Sequence, residues 1–94
     1  MIIIRNIFVA KPGMASKLAK QLKEAAPLAG MANHRVLTDL TGEFNRVVLE
    51  FEVESLTQFE ERFKAREGNT EMQAKMAGYT DLWITGSREI LRVM

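Results

Sequence analysis

The chain has no cysteine, a single histidine and a net charge of only +1 at pH 7, and no apolar run in it is long enough to span a membrane as a helix. The missing cysteine removes disulfides, thiolate nucleophiles and Cys-ligated zinc together, and it fits a cytoplasmic location. One histidine without any cysteine gives no basis for a transition-metal cluster, so no metal site and no cofactor are expected. The glycine patterns that cradle phosphates are also missing. Ser16, Ser55 and Ser87 lack the elbow motif or nearby acid that would mark a nucleophile. The balance of 13 Lys and Arg against 12 Asp and Glu argues against a dedicated nucleic-acid surface, which needs a clear basic excess. The opening apolar stretch is interrupted at Arg5 and has no basic region ahead of it, so no secretory signal is expected.

What remains is 94 residues at 47% hydrophobic, one domain over 1–94 with a small core. A domain of this size without covalent or metal staples is modestly stable alone, which gives association a thermodynamic motive. Charge is unevenly placed: residues 1–47 carry seven basic against three acidic side chains (+4), and 48–94 carry six against nine (−3).

Periodicity supplies the elements. Ile2-Ile3-Ile4-Arg5-Asn6-Ile7-Phe8-Val9 is a strand apolar at both alternating sets of positions, so it expects cover on both faces. After the turn Lys11-Pro12-Gly13, residues Ala15, Leu18, Ala19, Leu22 and Ala26 recur at helical spacing, predicting a helix over 13–26 that Pro27 ends or kinks. Residues 28–33 read as a loop. His34–Leu40 and Asn45–Glu54 read as strands joined in an antiparallel hairpin. In the second of these, Val47, Leu49, Phe51 and Val53 alternate with Val48, Glu50, Glu52 and Glu54, so the purely apolar side should face the helices.

Ser55 with Gln58 is a capping-box pattern opening a second helical region with the stripe Leu56, Phe59 and Phe63. Gly68-Asn69 breaks that region. Thr70 with Gln73 offers a second capping box, and Met72, Met76, Tyr79 and Trp83 follow at spacings of four, three and four. Gly86 is expected to close the helix, and Glu89–Met94 reads as the last strand.

The order is therefore βαββαβ: an α+β, ferredoxin-like fold with a four-stranded antiparallel sheet, helices on one face and the second helix broken. Crossover rules put the first and third strands at the sheet centre. The uncovered face would then mix Ile3, Arg5, Ile7 and Val9, or their alternates, with Val48, Glu50 and Glu52, and Arg5 and Glu50 are placed to pair across strands. Two helices cannot cover both faces of such a sheet. The sequence therefore asks for a second copy of the chain on the open face, since an apolar sheet face left bare is an aggregation hazard.

With these features the chain resembles the dimeric α+β barrel superfamily, nearest to its NIPSNAP-like and antibiotic-biosynthesis-monooxygenase-like groups. The resemblance covers nearly the whole chain. It rests on the isoleucine-rich first strand, the Lys11-Pro12-Gly13 turn, the broken second helix and the closing Gly86-Ser87-Arg88-Glu89-Ile90 strand. It implies two protomers joined sheet to sheet. The superfamily includes cofactor-independent monooxygenases, haem-degrading enzymes and isomerases, so fold does not select the chemistry. Asn6 matches the position where haem-degrading members place a pocket-facing asparagine. Those members also need a tryptophan and a histidine on the second helical region, where this chain has Trp83 near the end and no histidine.

The candidate site residues follow. Asn6 is an amide among apolar neighbours, and His34 is the only imidazole, to which any general acid or base step looks first; these two are the catalytic candidates. Tyr79, Trp83, Met72 and Met76 form the candidate substrate-binding wall, suited to a flat apolar ligand. Two functions are then open. One is a small homodimeric enzyme that oxygenates or isomerises an aromatic or polyketide-like molecule without cofactor. The other is a non-catalytic dimeric ligand-binding or interaction module. An RNA-recognition domain shares the element order but needs exposed aromatics on the central strands, where this chain has Glu50 and Glu52. Amino-acid-binding regulatory domains share it too, but they are usually attached to an enzyme.

Overall fold

A computed structural model describes all residues, 1–94. The chain runs β1 (Ile2–Ala10), α1 (Ala15–Leu28), β2 (Ala32–Thr38), β3 (Arg46–Val53), α2 (Leu56–Ala65), a 3-10 turn (Arg66–Gly68), α3 (Thr70–Lys75), a second 3-10 turn (Tyr79–Asp81) and β4 (Trp83–Arg92). The strands form one antiparallel sheet in the order β2-β3-β1-β4, with β1 and β3 central as the connectivity rules require.

Alternation along β3 sets the layers. Val47, Leu49, Phe51 and Val53 are buried and share a cluster with Ile4 and Ala10 of β1 and Leu18, Leu22 and Ala26 of α1. Register explains the pairing, since Ile4 stands opposite Phe51, Asn6 opposite Leu49 and Phe8 opposite Val47. Removing each such large apolar side chain from water stabilises the fold by about 1.5–3 kcal/mol. Asn6 is the one polar residue in the β1 row Ile2, Ile4, Asn6, Phe8, Ala10.

The opposite face carries Ile3, Arg5, Ile7 and Val9 against Glu52, Glu50, Val48 and Arg46. Arg5 Nε donates to Glu50 Oε1 at 2.7 Å, and Arg35 of β2 grips the other carboxylate oxygen, with Nε at 3.0 Å. These two guanidinium groups, Arg35 first, hold the Glu50 carboxyl below its ordinary range against the opposing effect of burial.

Local signals account for most boundaries. Met14 N–H closes on Lys11 O at 2.9 Å, a turn in which Gly13 takes φ +81 after Pro12. α1 lies two residues later at both ends than the helix predicted over 13–26. It stops one residue past Pro27, where Gly30 turns the chain at φ +68. Ser55 caps α2 by accepting from Gln58 N–H, while the Gln58 side chain receives Glu54 N–H.

Three further elements differ from the sequence reading. β2 begins and ends two residues earlier than His34–Leu40, because Asn33 at φ +49 allows a register shift that lets Ala32 pair with Glu52. α3 is capped by Asn69, not Thr70: Asn69 Oδ1 accepts Met72 N–H at 3.0 Å, and Gln73 reaches back to the carbonyls of Arg66 and Glu67. β4 starts at Trp83 rather than Glu89, so Gly86 sits inside a strand opposite Phe8 instead of ending a helix. The spacing of Met72, Met76, Tyr79 and Trp83 spans α3, a 3-10 turn and a strand start. β1 is free to pair along that stretch, and the backbone hydrogen bonds go there.

Candidate active site

Between the core face of the sheet and the helices lies a cavity of about 460 Å³. Asn6, Phe8, Leu49, Phe51, Gly86 and Arg88 form its sheet side, and Leu22, Ala25 and Ala26 its α1 side. Phe59, Arg62 and Phe63 of α2, Arg66 of the first 3-10 turn, Met72, Met76, Tyr79 and Trp83 complete the wall. The size and mainly apolar lining fall within the range of small-molecule sites.

Aromatic contacts hold this wall. Phe8 meets Trp83 edge-on at 5.5 Å between ring centres and Tyr79 at 6.5 Å, while Phe59 lies 6.4 Å from Phe51 and 6.0 Å from Phe63. Gly86 lies against these rings: a Cβ there would stand 3.4 Å from Ile7 O, 3.5 Å from the Trp83 ring and 3.6 Å from the Phe8 ring, all ordinary van der Waals contacts. Trp83 Nε1 is closed off from solvent and has no acceptor within the protein.

The polar groups are few. Arg88 Nε donates to Asn6 Oδ1 at 2.7 Å across the β1–β4 pair, which fixes the amide and leaves Asn6 Nδ2 as a donor. Arg62 donates through Nη1 to Gly30 O. The Arg66 guanidinium stands 3.9 Å above the Phe63 ring, and that of Arg88 is 5.2 Å from the rings of both Phe59 and Phe63.

Of the residues singled out in the sequence, the cavity brings together Asn6, Tyr79, Trp83, Met72 and Met76. His34 is not in its lining. It lies in β2 with Nδ1 3.2 Å from Met31 O, and only Met31 of that pair reaches the cavity. Sequence reasoning missed the three arginines and the site role of Phe59 and Phe63. A signal existed for two of them, because Arg62 and Arg66 are four apart and flank Phe63 of the apolar stripe. Arg88 had none, since its place opposite Asn6 depends on a β4 register not legible beforehand. No group of His, Asp and Glu is placed to hold a metal ion, and no helix is long and apolar enough to cross a membrane.

No protein-family model matches the chain, and no curated protein matches it. Solved structures do. An uncharacterised NIPSNAP-domain protein from Burkholderia xenovorans superposes with a TM-score of 0.86 at 14% identity, covering 100% of this chain and 95% of that one. A NIPSNAP-family protein from Agrobacterium tumefaciens gives 0.83 at 20% identity, with 99% and 92% covered. A supposed antibiotic biosynthesis monooxygenase from Chloroflexus aurantiacus gives 0.77 at 18% identity, again with 99% and 92% covered. The fold is thus the ferredoxin-like fold of the NIPSNAP-domain and monooxygenase-like structures, as the sequence resemblance implied.

Proposed function

We propose that the protein is a homodimer, joined through its open sheet face, that binds a flat apolar small molecule in the cavity between sheet and helices. The observation that carries the binding reading is a half-open pocket of about 460 Å³ lined mainly by methionine, aromatic and other apolar side chains, with few polar groups. Flat rings suit walls of this kind, and methionine adapts to their outline. The dimer follows from Ile3, Ile7, Val9 and Val48, which lie on the face away from the helices, with Leu37 and Leu91 exposed beside them.

Cofactor-independent oxygenation or isomerisation of an aromatic or polyketide-like substrate is the second reading, favoured by the Asn6–Arg88 pair. A substrate that ionises to a phenolate or enolate would meet two oriented donors there, Asn6 Nδ2 and the Arg88 guanidinium, at the oxygen that carries the charge. Likeness to a supposed monooxygenase supports the same reading. His34 has no part in it, because it stands outside the cavity lining.

Native mass spectrometry of the protein as purified tests the proposal. A dimer with added small-molecule mass is expected, and a stable monomer overturns the sheet-to-sheet assembly. Replacement Asn6→Ala then separates the two readings. Loss of turnover on aromatic substrates with oxygen, with dimer and binding intact, supports the enzyme, and absence of turnover by the unaltered protein leaves binding alone.

A further inference from the structure

We infer that the cavity takes an organic carboxylate, a flat apolar acid whose charged end meets Arg62, Arg66 and Arg88. The inference rests on the pocket reading above and adds the charge of the occupant. No aspartate or glutamate lines the cavity, whereas three arginines do. All three come from the half of the chain with net charge −3, so their grouping runs against the local composition. Arginines on the other face of the sheet find carboxylates, Arg5 and Arg35 on Glu50 and Arg46 on Asp39. Arg62, Arg66 and Arg88 form no ion pair at all.

Their geometry is also restrained. Arg66 and Arg88 both stack on Phe63, and Arg88 is anchored through Nε to Asn6, which leaves its two terminal nitrogens for a ligand. A guanidinium held this way presents parallel N–H groups, the arrangement that matches a planar carboxylate in bidentate fashion. Arg66, Arg88 and Phe63 are exposed, so the pairing keeps contact with water and is screened by salt.

Isothermal titration calorimetry with 2-naphthoate and its neutral counterpart 2-naphthamide tests this directly. The wild-type protein is expected to bind the acid at least about tenfold more tightly than the amide, with the difference shrinking as salt is added. In the double variant Arg66→Gln, Arg88→Gln the two affinities should converge, the acid weakening more than the amide, and an unchanged circular dichroism spectrum shows that the variant is folded. If the variant does not fold, the acid-to-amide ratio of the wild type and its salt dependence decide. Equal binding of acid and amide by the wild type overturns the carboxylate inference and leaves the pocket standing. Binding of neither overturns both.

Discussion

Glu50 is the one charged residue the fold buries, and it is buried on the sheet face away from the helices. A carboxylate so placed needs compensation, which Arg5 and Arg35 supply from the strands on either side. Because its folded pKa is lowered, Glu50 contributes stability that is fully present above its ordinary value of 4.5 and is lost as pH falls through the lower folded value. Thermal melts should therefore show a loss of stability in acid that is flatter in Glu50→Gln. At neutral pH Glu50→Ala should destabilise by about 1–2 kcal/mol, a modest figure because both arginines keep contact with water. This pair was legible in the sequence, since alternation alone put Arg5 and Glu50 on one face of neighbouring strands. The Asn6–Arg88 pair was not, because the partner strand was read as starting six residues too late.

At the scale of elements, the break between α2 and α3 does more than interrupt a helix. Asn69 caps α3 with its side-chain oxygen and ties the break to the end of α1 by donating to Leu28 O at 2.9 Å. One residue thus anchors the short segment that carries Met72 and Met76 to the cavity. Asn69→Ala should cost about 1 kcal/mol in chemical denaturation, with amide exchange rising first in residues 70–75. The break itself was read correctly from Gly68-Asn69, although Thr70 was taken for the cap. The start of β4 was read as helix because Met72, Met76, Tyr79 and Trp83 mimic a helical stripe. Periodicity records which side chains face the core, and here three successive elements put theirs on the same side. Gly86 looked like a terminator for a related reason: it pairs with Phe8 inside a strand and lies beside the Trp83 ring, which only the register discloses.

For the whole molecule, the sheet is a partition with different chemistry on its two sides. One side holds the core and the arginine-lined cavity, and the other a mixture of aliphatic rows and ion pairs. Ile7→Glu places a charge at the centre of the second side without touching the first. Under the proposed assembly, light scattering after gel filtration should find the wild type dimeric and that variant monomeric at the same concentration, with the proposed 2-naphthoate binding equal in the two. The βαββαβ order and the aliphatic rows of the open face were readable from alternation and element count. Part of the cavity wall was readable too, in Asn6, Met72, Met76, Tyr79 and Trp83; the rest was not, because it comes from separate stretches whose convergence depends on how they pack. One consequence follows from Trp83, the only tryptophan in the chain, which lines that cavity within 6.4 Å of Tyr79, the only tyrosine. Whatever enters must change the surroundings of the single indole, so the protein is its own optical gauge of occupancy. Its emission reports on the site alone, with no second fluorophore elsewhere to dilute the signal.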